Sequence, residues 1–144
     1  MEIRPARSED ERAIKELIHR VNINPMGLNW RRFLVIVDET GNLAACGQIK
    51  SHQDGSRELA SIAVDEKFRG QGYARQIIER LMEENPPPLY LTCRQTMRGM
   101  YEKFGFRKLE YQEMTPYFKR LYRIAEFISW LVRRLGGMTV MKWD

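Results

Sequence analysis

The sequence predicts an α/β (α+β) fold built on a mixed central sheet of about six to seven strands. Three observations carry this. Residues 33–37, 43–50 and 59–64 are successive strand-like apolar runs, joined by the turns Glu39-Thr40-Gly41-Asn42 and Gln53-Asp54-Gly55-Ser56, so they form an antiparallel meander. The third run feeds a helix whose Ile77, Ile78 and Leu81 share one face. Pro86-Pro87-Pro88 stops that helix before another strand at 89–93, and a strand–helix–strand unit implies a right-handed parallel crossover.

The remaining elements follow in order. Residues 2–4 form a short first strand, ended by Pro5. Ser8-Glu9-Asp10-Glu11 reads as a capping box, with Ser8 as N-cap and Glu11 at N3. It opens an amphipathic helix with Ile14, Leu17, Ile18 and Val21 at i, i+3, i+4 and i+7. Pro25 and Gly27 mark 22–29 as a loop, whose Met26, Leu28 and Trp30 neighbourhood is apolar. A short helix ends at Gly105, a natural C′ residue, and Phe106 starts a strand. A helix is expected over 116–135 and a last strand over 138–143. The chain is read as one domain, 1–144, with a helical insertion at about 114–136 before the last strand.

With 43% hydrophobic and 30% charged residues, the 144-residue chain belongs to the soluble globular class. Its formal charge of +5 suits a polyanionic ligand, nucleic acid or an anionic membrane, and charge alone does not choose among them. Cys46 and Cys93 are unclustered and lie in apolar runs, which points to reduced thiols in a cytoplasmic compartment and to no metal site. The start Met1-Glu2-Ile3-Arg4 opens no apolar signal run, and no stretch reaches the ~18 apolar residues of a membrane span.

Between the third strand of the meander and its helix lies Arg69-Gly70-Gln71-Gly72-Tyr73-Ala74. A glycine-rich turn at a helix N-terminus presents free N–H groups and the positive end of the helix dipole, a site for phosphate oxygens. It is neither a Walker loop, since no Gly-Lys-Ser/Thr follows, nor the dinucleotide fingerprint. It fits Arg/Gln-x-x-Gly-x-Gly/Ala through Arg69, Gly72 and Ala74, after a strand ending Ala63-Val64. Downstream stands Tyr101-Glu102-Lys103-Phe104-Gly105-Phe106. Together these motifs resemble the GNAT family of acyl-CoA-dependent N-acyltransferases, over roughly residues 2–109.

The resemblance implies helices on both faces of the sheet, acetyl-CoA as co-substrate, and transfer of its acetyl group to a primary amine in a ternary complex. It implies that the amides of Ile62 and Val64, with Ala63 between them, hold the pantetheine arm. Gly70, Gln71, Gly72, Tyr73 and Ala74 would wrap the pyrophosphate, with Arg69 and Arg75 adding charge-assisted contacts. The spacing Glu58-x-x-x-x-Ala63-Val64 resembles the histone-acetylating branch, in which a glutamate here is the general base; Tyr101 would be the acid that protonates the leaving thiolate. Loop 22–29 would line the acceptor site. The family's Asn and Ala upstream of the tyrosine are replaced by Arg94 and Met97, which leaves the asparagine's pantetheine contact open.

A second reading, favoured slightly by Arg94 and Met97, is an acyl-CoA-binding regulatory module with little turnover. Nucleic-acid binding rests only on charge and lacks interleaved aromatic and basic residues. His19 reads as structural, and His52, after the third strand, as an exposed loop residue in preference to one near the acceptor. In 116–135, Phe118, Leu121, Tyr122, Ala125, Ile128, Leu131, Val132 and Leu135 form a stripe, Ile124, Phe127 and Trp130 widen it, and Lys119, Arg120, Arg123, Arg133 and Arg134 make it basic. The expectation is packing against the domain, with part of the helix serving as acceptor-site wall or homodimer face, in preference to contact with anionic lipid.

Overall fold

The computed structural model describes residues 1–132 and 137–144. Among them are strands β1 (Glu2–Pro5), β2 (Phe33–Val37), β3 (Leu43–Ser51), β4 (Arg57–Val64), β5 (Leu89–Arg94), β6 (Arg107–Lys108) and β7 (Met138–Trp143). The helices are α1 (Glu11–Arg20), α2 (Tyr73–Glu84), α3 (Arg98–Glu102) and α4 (Pro116–Val132). The strands are hydrogen-bonded in the order β1-β2-β3-β4-β5-β7-β6. The pairing of β4 with β5 is parallel and those of β5 and β6 with β7 are antiparallel, so the sheet is mixed. The chain divides into two compact units, Met1–Lys50 with Leu59–Asn85 and Ser51–Glu58 with Pro86–Asp144.

In the first unit, all five residues of β2 are buried, as a strand covered on both faces requires. Ile14, Leu17 and Ile18 of α1 pack with Phe33, Val35, Val37, Cys46 and Ala63. The capping box expected at Ser8 is not formed. A turn of 3₁₀ helix covers Ser8–Asp10, and the Asp10 carboxylate accepts from the Arg7 amide and from Arg4 Nη1, each at 2.7 Å. Asp10 prevails because Arg4 gives it a charged partner that a serine hydroxyl lacks. The Arg4 guanidinium also holds the Asp10 carboxyl below the usual carboxylate range.

α2 buries Ile77, Ile78 and Leu81, the residues its periodicity singles out. Its close approach depends on Gly47. A Cβ at Gly47 would stand 2.5 Å from Ile77 Cγ2 and 2.6 Å from Ile62 Cδ1.

In the second unit, Tyr90, Leu109, Met114, Phe118 and Val140 form a buried cluster, flanked by Tyr111, Tyr117, Tyr122 and Met138. α3 closes in a Schellman motif at Gly105, whose φ is +99°: the Phe106 amide reaches Tyr101 O at 3.3 Å and the Gly105 amide reaches Glu102 O at 3.0 Å. β6 begins at Arg107, one residue later than expected. α4 starts at Pro116, which suits a first helical turn that has no partner for its N–H. Its Phe118 is fully buried, but Ile124, Phe127, Ile128, Trp130, Leu131 and Val132 are exposed. Packing against the domain therefore accounts for the first half of the helix only. Arg133, Arg134 and Leu135 of the expected helix lie outside the described residues.

Gly47→Ala is expected to lower the unfolding free energy by about 1–3 kcal/mol through overpacking, seen as an earlier urea midpoint. An unchanged midpoint would show that α2 can move away from β3 without loss.

Candidate active site

The site residues of the first unit lie on β4 and the turn that follows. In the middle of β4, Ser61 sits in left-handed backbone with φ +59°. It is buried, and its Oγ accepts from Gln48 Nε2 at 2.8 Å. A non-glycine residue held there costs about 1–3 kcal/mol and persists only where the surroundings impose it. The same Gln48 nitrogen reaches Gly27 O at 3.3 Å, and Lys50 Nζ donates to Met26 O at 3.0 Å, so β3 anchors loop 22–29.

Past Ser61, Ala63 turns into the core, while Ile62 and Val64 are half-buried. Val64, Phe68, Arg69, Gly70, Gly72, Tyr73 and Ala74 then line a cavity of about 280 Å³. Gly70 and Gly72 have φ of +78° and +82°, which favours glycine, and a Cβ on either would meet open space. Gly72 is the N-cap of α2, and the N–H groups of the first turn that follows have no partner within the helix. An open, glycine-walled cradle of donors beside Arg69 suits the negative charge of a phosphate group. Two of the expected cradle residues stand apart from the lining. Gln71 Oε1 accepts from the Tyr73 hydroxyl at 3.1 Å, and Arg75 is exposed and paired with Glu79 at 2.7 Å.

The two catalytic candidates belong to the second unit. Glu58 forms the parallel pair of β4 with Tyr90 of β5, and its side chain is only 8% exposed. Its Oε1 lies 2.8 Å from His52 Nε2. His52 is therefore not an exposed loop residue. Its ring stacks on Tyr117 at 3.5 Å between centroids and meets the edge of Phe118 at 5.7 Å. The signal for this pairing was available, because the turn at 53–56 returns residue 58 close to residue 52.

The same turn holds the start of α4. Asp54 Oδ2 accepts from the Tyr117 amide at 3.0 Å, which supplies a partner and a negative charge to the first turn of the helix. Burial opposes the Asp54 carboxylate, yet the Ser56 hydroxyl and amide and the Tyr117 amide hold it well below the usual carboxylate range. Burial, helped by the Glu58 charge, pushes the Tyr117 phenol up.

Tyr101 lies on α3, its ring 6.3 Å from that of Phe106. Burial, and next the proximity of Cys93, push its phenol up to about 12. It thus keeps its proton throughout the neutral range, as a proton donor must. Arg94 ends β5 and Met97 lies in a turn of 3₁₀ helix; both are exposed.

Residues 29–108 match the family model for an acetyltransferase (GNAT) domain. The chain belongs to the GNAT acetyltransferase family. Its fold is shared with Rv2747 of Mycobacterium tuberculosis, solved in complex with CoA and NLQ, at 22% identity and a TM-score of 0.73 over 99% of this chain and 98% of that one. N-acetylglutamate synthase of Neisseria gonorrhoeae, complexed with coenzyme A and N-acetyl-glutamate, matches at 18% identity and a TM-score of 0.74 over 99% of this chain, which spans 35% of that enzyme chain. A ribosomal-protein-alanine N-acetyltransferase of Escherichia coli matches at 17% identity and a TM-score of 0.67, over 99% of this chain and 92% of that one. No curated protein matches the sequence.

Acetyl-CoA is expected to raise the melting temperature of the parent protein, as a ligand of the native state does. Gly72→Glu, which sets bulk and negative charge into the cradle, is expected to abolish the rise. A folded Gly72→Glu protein with an unchanged rise would remove the turn from coenzyme binding.

Proposed function

We propose that this GNAT domain, spanning 1–144, is an N-acetyltransferase that moves the acetyl group of acetyl-CoA to a primary amine by direct attack in a ternary complex. The observation that carries this reading is the open cradle at the N-terminus of α2, in a chain of acetyltransferase family. Its glycines leave room for phosphate oxygens against bare amides. Support for a coenzyme ligand comes from Rv2747 and the Neisseria enzyme, both solved with CoA. Support for an amine acceptor comes from the Escherichia coli enzyme, named for acetylating an alanine of a ribosomal protein.

Acetyl-CoA supplies the activated thioester. The amine must first lose a proton, because an alkylammonium of pKa ~10.4 has no lone pair to attack with. On this reading Glu58 takes that proton, directly or through one water, and His52 holds its carboxylate at 2.8 Å. The amine nitrogen then bonds to the thioester carbon, the carbon–sulfur bond breaks, and the electron pair leaves with sulfur. Tyr101 donates its phenolic proton to that thiolate and recovers a proton from the second N–H of the acetylated nitrogen or from solvent. The balance is one amide, one thiol and one released proton per ammonium consumed. Ile62, Ala63 and Val64 would run along the pantetheine arm, and Gly70, Gln71, Gly72, Tyr73 and Ala74 along the pyrophosphate. Arg69 would add charge there, as would Arg75 after leaving Glu79.

Glu58→Gln is expected to lower the single-turnover rate by about 10²-fold or more, with acetyl-CoA affinity unchanged. His52→Gln keeps a donor for Glu58 and should retain more of that rate than His52→Ala. The Tyr101 donor form is complete below its folded value of about 12. Tyr101 therefore imposes no alkaline fall in rate up to about pH 10, the ordinary tyrosine value. Equal single-turnover rates for Glu58→Gln and parent would remove Glu58 from the chemistry.

A further inference from the structure

We propose that the C-terminal half of α4 is a binding surface for an anionic lipid bilayer, with the helix lying in the plane of the membrane. Ile124, Phe127, Ile128, Trp130, Leu131 and Val132 are between 41% and 73% exposed. Scattered exposed apolar residues are ordinary, but six large ones within nine positions form a contiguous patch, which marks an interaction surface. Ile124, Phe127, Ile128 and Leu131 recur at i, i+3, i+4 and i+7, so they share one face, distinct from the face that buries Phe118.

The charges next to this face select its partner. Arg120 stands one turn before Ile124 on the same row. Lys119, Arg123, Phe127 and Trp130 make the adjoining row at intervals of three and four. Lys119 and Arg123 lie over the Tyr111 ring at 5.5 and 5.4 Å, contacts that orient the cations without neutralising them. Among the described residues no acidic side chain forms an ion pair with Lys119, Arg120 or Arg123. The acid on this half of the helix, Glu126, lies beside the Tyr122 hydroxyl.

A second copy of the chain would set Lys119, Arg120 and Arg123 against the same three cations and one acid, Glu126, which leaves an excess of positive charge at the face. An anionic bilayer supplies that complement over its whole surface, and acyl chains take the apolar side chains. Trp130, two turns beyond Arg123 on the same row, suits the headgroup level, where an amphipathic ring is preferred. No described helix is long and apolar enough to cross a membrane, which leaves the in-plane geometry. The chain's formal charge of +5 adds long-range attraction of the same sign.

Vesicle flotation tests the proposal, comparing phosphatidylcholine alone with phosphatidylcholine carrying a third of phosphatidylglycerol. The parent protein is expected to float with the anionic vesicles and to be released as salt rises. Phe127→Ser/Trp130→Ser/Leu131→Ser and Arg120→Glu/Arg123→Glu, all exposed positions, should each lower the bound fraction at least tenfold while keeping the parent melting temperature. Failure to float at low salt, or equal flotation on neutral vesicles, would overturn the proposal. So would sedimentation showing a parent dimer that the triple serine variant turns into a monomer, since a second copy would then cover the face.

Discussion

The first unit depends on one buried hydrogen bond, from Gln48 Nε2 to Ser61 Oγ. It holds a serine in left-handed backbone inside a strand, a conformation the residue would otherwise leave. Three features of the candidate site follow from that point. Ser61 places one left-handed residue in β4 just before Ile62, Ala63 and Val64, the stretch proposed to meet the pantetheine arm. The strand then delivers the chain to the glycine turn and to α2, whose close seat on β3 needs a bare Gly47. Gln48 also reaches the loop at Gly27, so the same side chain fixes the strand and the proposed acceptor loop. A buried amide that serves two segments is costly to lose, because Ser61 Oγ would be left unpaired away from water.

The second unit builds around the turn at 53–56 in a comparable way. Asp54 caps the start of α4, and His52 lies between Glu58 and Tyr117. The beginning of α4 is thereby tied to the residue proposed as base. A carboxylate within hydrogen-bonding distance of a ring that is itself stacked has little freedom to turn. Such restraint is what proximity effects in catalysis require. The far half of the same helix takes no part in this packing.

Much of this was readable from the sequence because it rests on local physics. The stripe Ile77, Ile78 and Leu81 gave α2, Gly105 gave the end of α3, and Pro116 gave the start of α4. The glycine turn was legible because only glycine adopts φ near +80° readily, and six of the ten expected coenzyme residues line one cavity. What escaped reading was long-range. Ser61 looks like any small strand residue until Gln48, thirteen positions earlier, is set beside it. Ser8 was a sound cap by pattern and lost to Asp10 because Arg4 was within reach. The pairing of His52 with Glu58 was within reach of the local turn, but its burial was not, because the ring that covers it, Tyr117, comes from a helix far along the chain. The wide apolar sector of α4 was visible, but a sequence does not say which part of a stripe the core will cover.

The cradle at the N-terminus of α2, proposed to hold acetyl-CoA, is expected to serve transfer to an amine and not storage or sensing. The most direct test is thiol release from acetyl-CoA across a broad panel of amines: amino acids, peptides with free N-termini, lysine side chains, polyamines and small xenobiotic amines. Mass spectrometry of each mixture would identify the product. At least one amine is expected to release thiol and gain one acetyl group in equal amounts, well above the rate of hydrolysis alone. Acetyl-CoA binding without amine-dependent release anywhere in the panel would contradict this expectation, and would favour an acyl-CoA-binding module.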